Sequence, residues 1–334
     1  MAIIKLRSPR YEVLLAPTNA VSAKLELTIA STLRYTIVKE CTAGSNVEFE
    51  ISELCRDYLD IAVDNDIDHP ANTIAISRAV KFYPQANAGG TQIGSTDTAT
   101  HTGIDGYGIF TDGVNPTIHS SQVFLLSPNY VGTDSYKVYA PVGEQGSFPY
   151  LDTNADVQYN EFDSSETSVT LRSQTITIVR LDCNKYTPTK VLFLNKWGAI
   201  QELWFQTKTV DSLTTKEEKY QRNLVTFATN NTATLDTKQH NIKTLNKQGK
   251  AKITLSSGYY PEFVSEWFEE LINSPEVYII DDYQTDNTFP LLNTYVTPTR
   301  LTTSSYTRKT IANDKLMQYT FELERNKTQK TQPA

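Results

Sequence analysis

The sequence predicts a mainly β protein with a few short helices, arranged as two β-sandwich-like domains that each carry an amphipathic helix packed on a sheet. Three observations lead there. The chain holds 19 Tyr and 13 Phe against 2 Met, and aromatic residues together with abundant Thr suit pleated, half-buried surfaces. Apolar and polar residues alternate with period two in segment after segment, as a strand with one buried face requires. Only two stretches show helical spacing, 52–61 and 262–272, and each sits between runs of strands. At 334 residues the chain exceeds what one core usually organises. Domains are placed at 1–183 and 184–325, with a flexible tail at 326–334.

Taken in order, Tyr11 to Leu14, Lys24 to Ile29 and Val47 to Ile51 alternate as short strands separated by turn residues. Ser52 suits an N-cap, and Leu54, Cys55, Tyr58, Leu59 and Ile61 fall on one stripe, so a short helix closes the first unit. A strand returns at Thr73 to Phe82. Residues 84–116 are rich in Gly, Thr and Asp with little periodicity, which predicts a long loop. Tyr107, Ile109 and Phe110 give that loop apolar anchors, and contact with a partner is preferred to folding back on its own domain. Strands are expected at Gln122 to Leu126, Tyr136 to Tyr139 and Thr167 to Val179.

In the second half, Val191 to Leu194 and Ile200 to Phe205 flank the turn candidate Asn195-Lys196-Trp197-Gly198, where glycine can take positive φ. That predicts a tight hairpin. Trp197 is a candidate anchor for another chain, or an aromatic covering the end of its own sheet. Alternation at Leu224 to Phe227 and Lys252 to Leu255 predicts strands crossing an exposed surface. Pro261 then opens the best-defined helix, with Phe263, Val264, Trp267, Phe268, Leu271 and Ile272 on one face and Glu262, Glu266, Glu269 and Glu270 largely off it. Asn273-Ser274-Pro275 stops it. The sheet beneath is expected from Glu276 to Ile280, Thr294 to Thr297 and Gln318 to Glu324.

A net charge of -7 argues against a grip on phosphate backbones, which needs clustered Lys and Arg. No apolar run is long enough to cross a bilayer, and the first residues lack a signal-peptide pattern, so the chain is expected to fold in a cytoplasm. Cys41, Cys55 and Cys183 form no CxxC pair and are read as small buried hydrophobes. A search for catalytic constellations returns none: there is no G-x-S-x-G, no GxxxxGK[ST], no GxGxxG after a strand and no HExxH. His69, His101, His119 and His240 are expected in loops or on the solvated surface. Asp64, Asp66 and Asp68 mimic the start of a calcium loop, but His69 stands where glycine is needed and the bidentate Glu expected further on is absent, so a solvated acidic turn is preferred. No catalytic residue, cofactor or metal is expected. The chain reads as a protein that is not an enzyme, although paired acids for glycan cleavage remain an alternative without positive support.

KVLFLNKWGAIQELWF, GYYPEFVSEWFEELINSPEVYIID and KLMQYTFELE, with VEFEISELCRDYLDI near the start, resemble structural proteins of tailed bacteriophages, especially tail-tip or baseplate components of phages that infect Bacteroidetes. The resemblance covers about half of the chain and lies in patterns of residue type. It implies a virion subunit, assembled in the host cytoplasm, that forms a ring around the tail axis with copies of itself and other tail proteins. An acidic lumen would let DNA pass without holding it. A host-adhesion or carbohydrate-binding module, and a neck or capsid-associated virion protein, are the alternatives.

Overall fold

A computed structural model describes residues 2–63, 69–108, 117–118, 124–126, 137–152, 156–171, 174–182, 185–280, 296–305, 307 and 316–330, and they are mainly β. The first sheet is built from β1 (Ala2–Lys5), β3 (Ser22–Ile29), β4 (Thr32–Glu40), β6 (Thr73–Tyr83), β7 (Ile93–Ile104) and β8 (Thr117–Ile118), in the order β4-β3-β6-β7-β1-β8. Beside it β2 (Tyr11–Leu15) pairs antiparallel with β5 (Asn46–Glu50). Alternation does here what it predicts: Ala23, Leu25, Leu27 and Ile29 of β3 turn inward onto Val47 and Phe49 of β5 and Ile74, Ile76, Val80 and Phe82 of β6. The β3–β4 hairpin turns on Ala30 and Ser31, both at positive φ. Neither residue type signals such a turn, because a side chain at positive φ costs roughly 1–2 kcal/mol, and β4 was therefore not individually legible.

Three expectations for this region need correction. The helix over 52–61 is a single turn, α1 (Ser52–Arg56), and Ser52 is its first residue rather than its cap. Glu50 takes over: its carboxylate accepts the Ser52 N–H at 2.8 Å and also the Ser52 hydroxyl. The long loop over 84–116 is interrupted by twelve residues of strand, since β7 lies between β6 and β1. Its first half, Gly-Ser-Thr-Asp-Thr-Ala-Thr, supplies β-branched residues but no apolar face, so periodicity could not reveal it. At its end Gly103 fits so closely that an added Cβ would stand 2.9 Å from Ile74, Ile76 and Leu6. Deleting Ala88 to Asp112 would therefore remove a strand held on both sides, and the fold with it.

The middle of the chain forms two three-stranded sheets from β9 (Phe124–Leu125), β10 (Lys137–Pro141), β11 (Gly146–Leu151), β12 (Val157–Phe162), β13 (Ser168–Leu171) and β14 (Gln174–Leu181). The single strand expected over Thr167 to Val179 is a hairpin, with Leu171 opposite Gln174. Val138, Ala140, Phe148, Phe162, Ile176 and Ile178 pack against Trp204 from the second half of the chain. The core thus runs across the boundary expected at 183/184.

The second large sheet contains β15 (Thr189–Leu194), β16 (Ile200–Phe205), β17 (Val210–Gln221), β20 (Ile242–Ser256), β22 (Val277–Ile280), β23 (Val296–Leu301) and β25 (Thr320–Lys330), ordered β16-β15-β22-β23-β25-β20-β17. The expected hairpin is present, with Leu194 opposite Ile200. Short pairs β18 (Val225–Phe227) with β19 (Ala233–Leu235), and β21 (Tyr260–Pro261) with β24 (Leu316–Met317), complete the strands. After a 3-10 turn at Glu262–Val264 comes α2 (Ser265–Asn273). Val264, Trp267, Phe268 and Leu271 share a buried cluster with Phe193, Phe205, Leu255, Ile279, Phe321 and Leu323 of the sheet. Two details differ from expectation. Glu270, placed largely off the apolar face, is buried, and residues 326–330, expected to begin a flexible tail, continue as β25, with Lys330 opposite Gln248.

Candidate functional site

The four residues that turn the β15–β16 hairpin do more than reverse the chain. Asn195 is fully buried, and its Oδ1 accepts the Trp197 N–H at 2.9 Å and the Ala199 N–H at 3.2 Å. Its Nδ2 donates to the Leu126 carbonyl at 2.9 Å and to Gln201 Oε1 at 3.1 Å. Gly198 takes φ +78, and a Cβ there would stand 2.7 Å from the backbone of Asp105 and Gly106. The end of β7 and this turn are therefore in backbone contact. Tyr107 N–H donates to the Lys196 carbonyl at 2.9 Å, and Arg7 spans both sides, donating to the Asp105 carbonyl at 2.7 Å and the Asn195 carbonyl at 2.9 Å.

Charge and aromatic faces close the joint. Lys5 Nζ lies 4.0 Å from the centre of the Trp197 ring, and the Arg7 guanidinium lies 5.2 Å from that of Tyr107. Asp105 pairs with Arg56 at 2.9 Å. From the second half, Glu270 accepts the Lys196 N–H at 3.0 Å and stands 3.4 Å from its ammonium. Burial, assisted by the neighbouring charge of Lys196, lowers Lys5 to about 8, and burial pushes the Glu270 carboxyl up. Of the four candidate anchors, Tyr107 and Trp197 are thus half-buried and brought together at a joint within the chain, while Ile109 and Phe110 lie outside the described residues. Gly198→Ala should weaken this joint by about 2–4 kcal/mol, combining positive-φ strain with overpacking. Urea unfolding checks this; an unchanged midpoint would show that the turn can move away from Asp105.

Two further ionisable clusters sit in the core. Glu12 meets Arg10 and Arg78 at 2.9 Å each and His101 Nε2 at 3.3 Å, and Arg78 also binds Asp97. Burial opposes the Glu12 charge, but the nearby His101 Nε2 and the charge of Arg10 outweigh it and hold the carboxyl at about 2. Glu202 accepts the Ser147 N–H at 2.8 Å and lies 3.5 Å from Lys190. Burial dominates there and lifts the acid to about 7. These clusters correct the expectation of solvated histidines, because His101 and His69 are both buried, His69 edge-on to Tyr159 at 5.1 Å and lowered to about 4 by burial. His240 is exposed as expected; His119 lies outside the described residues. So do Asp64, Asp66 and Asp68, and among the described residues no group of three His, Cys, Asp or Glu is placed to hold a metal. Cys55 is buried, Cys41 half-buried.

Set against known proteins, the chain matches no family, no curated protein and no solved structure.

The exposed surface carries features that motif searching missed. Between β2 and β7 runs an open groove of about 670 Å³ lined by Val13, Leu15, Phe82, Ile93 and Asp97, with Arg78 at its floor already engaged by Glu12 and Asp97. Every residue of β17 is exposed. Beyond it β18 and β19 form the tip of a ribbon on which Phe227 is 70% and Leu235 61% exposed. A signal for this ribbon exists in the sequence, the polar and charged composition of residues 211–250 with alternation at Leu224 to Phe227, but nothing local shows that it leaves the body.

Proposed function

We propose that the chain is a non-enzymatic structural subunit of a tailed-phage virion, a tail or baseplate ring or hub component that assembles around the tail axis with copies of itself and other tail proteins. One observation carries this reading. Two edge strands are long and open: among the described strands β4, nine residues long, pairs only with β3, and β17, twelve residues long, pairs only with β20. Soluble proteins usually keep such edges short or covered, because unpaired N–H and C=O groups recruit other chains. Leu33 and Val38 on β4, and Val210, Leu213 and Tyr220 on β17, add exposed apolar surface beside those edges. Edges of this kind suit a protein whose neighbours complete its sheets.

The same proposal takes the architecture as two related sandwich-like units, each with a helix on a sheet. The apolar face of α2 against the second large sheet supports it for the C-terminal unit. Sedimentation of the purified chain tests the functional reading: self-association at micromolar concentration is expected, with no binding to a glycan array. Glycan binding by a strictly monomeric chain would instead favour a host-adhesion module.

A further inference from the structure

The ribbon formed by β17 and β20 separates from the body where burial stops. Ala251, Ile253 and Leu255 of β20 are buried, and β25 accompanies β20 as far as Lys330 opposite Gln248, but from Glu217 opposite Lys247 to Gln221 opposite Ile242 the ladder continues as two strands with its side chains largely in solvent. A two-stranded ribbon is marginal by itself in water, and ordering each residue costs roughly 1–2 kcal/mol. Side chains that would normally offset that cost are exposed here: Leu213, Tyr220, Phe227, Leu235, Ile242 and Leu245 are between 45% and 70% accessible. Such a surface fits a partner rather than solvent.

Charge says which partner. Residues 210–250 contain seven Lys or Arg against four Asp or Glu, a net +3, while the whole chain stands at -7, which leaves the rest at -10. A basic arm on an acidic body is complementary to the body of another copy. We infer that this arm is an intermolecular strap, docking its apolar and basic side chains on the acidic body of a second copy of this chain. The contact is head-to-tail, since arm meets body, and head-to-tail contacts close into rings when their rotation allows. The inference rests on the self-assembly proposed above and specifies the surface through which it occurs.

Two variants test it by light scattering across salt. In the first, residues 217–247 are replaced by Asn-Gly, which joins Lys216 to its existing partner Gln248. In the second, the arm stays and Lys216→Glu, Lys219→Glu, Lys243→Glu and Lys247→Glu reverse its charge. The whole chain should form a multimer at about 50 mM salt that dissociates towards about 500 mM, as screened charge pairing requires. Both variants should remain monomeric, their dissociation concentration raised at least about a hundredfold, with the melting temperature of the body kept. If the truncation melts early, the charge-reversed chain decides, because its changes lie on the ribbon and leave the body untouched. Variants that assemble as well as the whole chain would overturn the strap and leave the assembly reading standing. A whole chain monomeric at every salt would overturn both, and assembly insensitive to salt would overturn the charge-matched partner.

Discussion

Glu12→Ala is expected to lower the stability of the chain by about 3–5 kcal/mol, the usual cost of removing one partner from a buried ionic network. Three cationic or donor groups depend on that carboxylate: Arg10, Arg78 and His101, with Arg78 and His101 buried like Glu12 itself. Asp97 could retain Arg78 only from the exposed side. The change also has a pH signature. Because Glu12 is held at about 2, below its ordinary 4.5, its contribution is fully present above pH 4.5 and is lost as pH falls from there towards 2. Urea unfolding at pH 7 and pH 3 reads both effects. The variant's deficit should shrink at the lower pH; a deficit equal at both would show that the network does not depend on the Glu12 charge.

Trp267→Ala should cost a similar amount, about 3–5 kcal/mol. Trp267 is 2% exposed and stands edge-on to Tyr139 at 5.9 Å, while the next residue, Phe268, stacks on Phe321 at 5.7 Å. Deleting the indole opens a cavity between α2 and the sheet, and also loosens Tyr139, which comes from the middle of the chain. Thermal unfolding decides it. An unchanged melting temperature would mean that the helix face is held by something other than this ring.

What could be read from the sequence follows from where the physical cause is local. Leu25, Leu27 and Ile29 announce their strand because the core face and the alternation coincide, and Trp267, Phe268 and Leu271 announce theirs by spacing. The Asn195–Gly198 turn is legible because only a residue such as Gly198 accepts its φ. Its docking site is not, since Arg7, Asp105 and Tyr107 reach it from nearly two hundred or about ninety residues away and each looks like an ordinary surface residue in its own neighbourhood. Strand β7 is hidden by the Thr and Gly of its solvated half. His101 is hidden for the same reason: its neighbours suggest a loop, whereas its position opposite Ile76 and beside Glu12 is set by sheet pairing. Helix α1 shows the reverse error, an apolar stripe that the chain abandons after one turn although Tyr58 and Leu59 still pack on the same core.

Cryo-electron microscopy of the whole chain, concentrated at low salt, tests the central claim most directly. Closed rings of repeating subunits, with the β17–β20 ribbon of each lying on its neighbour, are the expected result. Isolated single subunits with the ribbon still in solvent would contradict an assembly role.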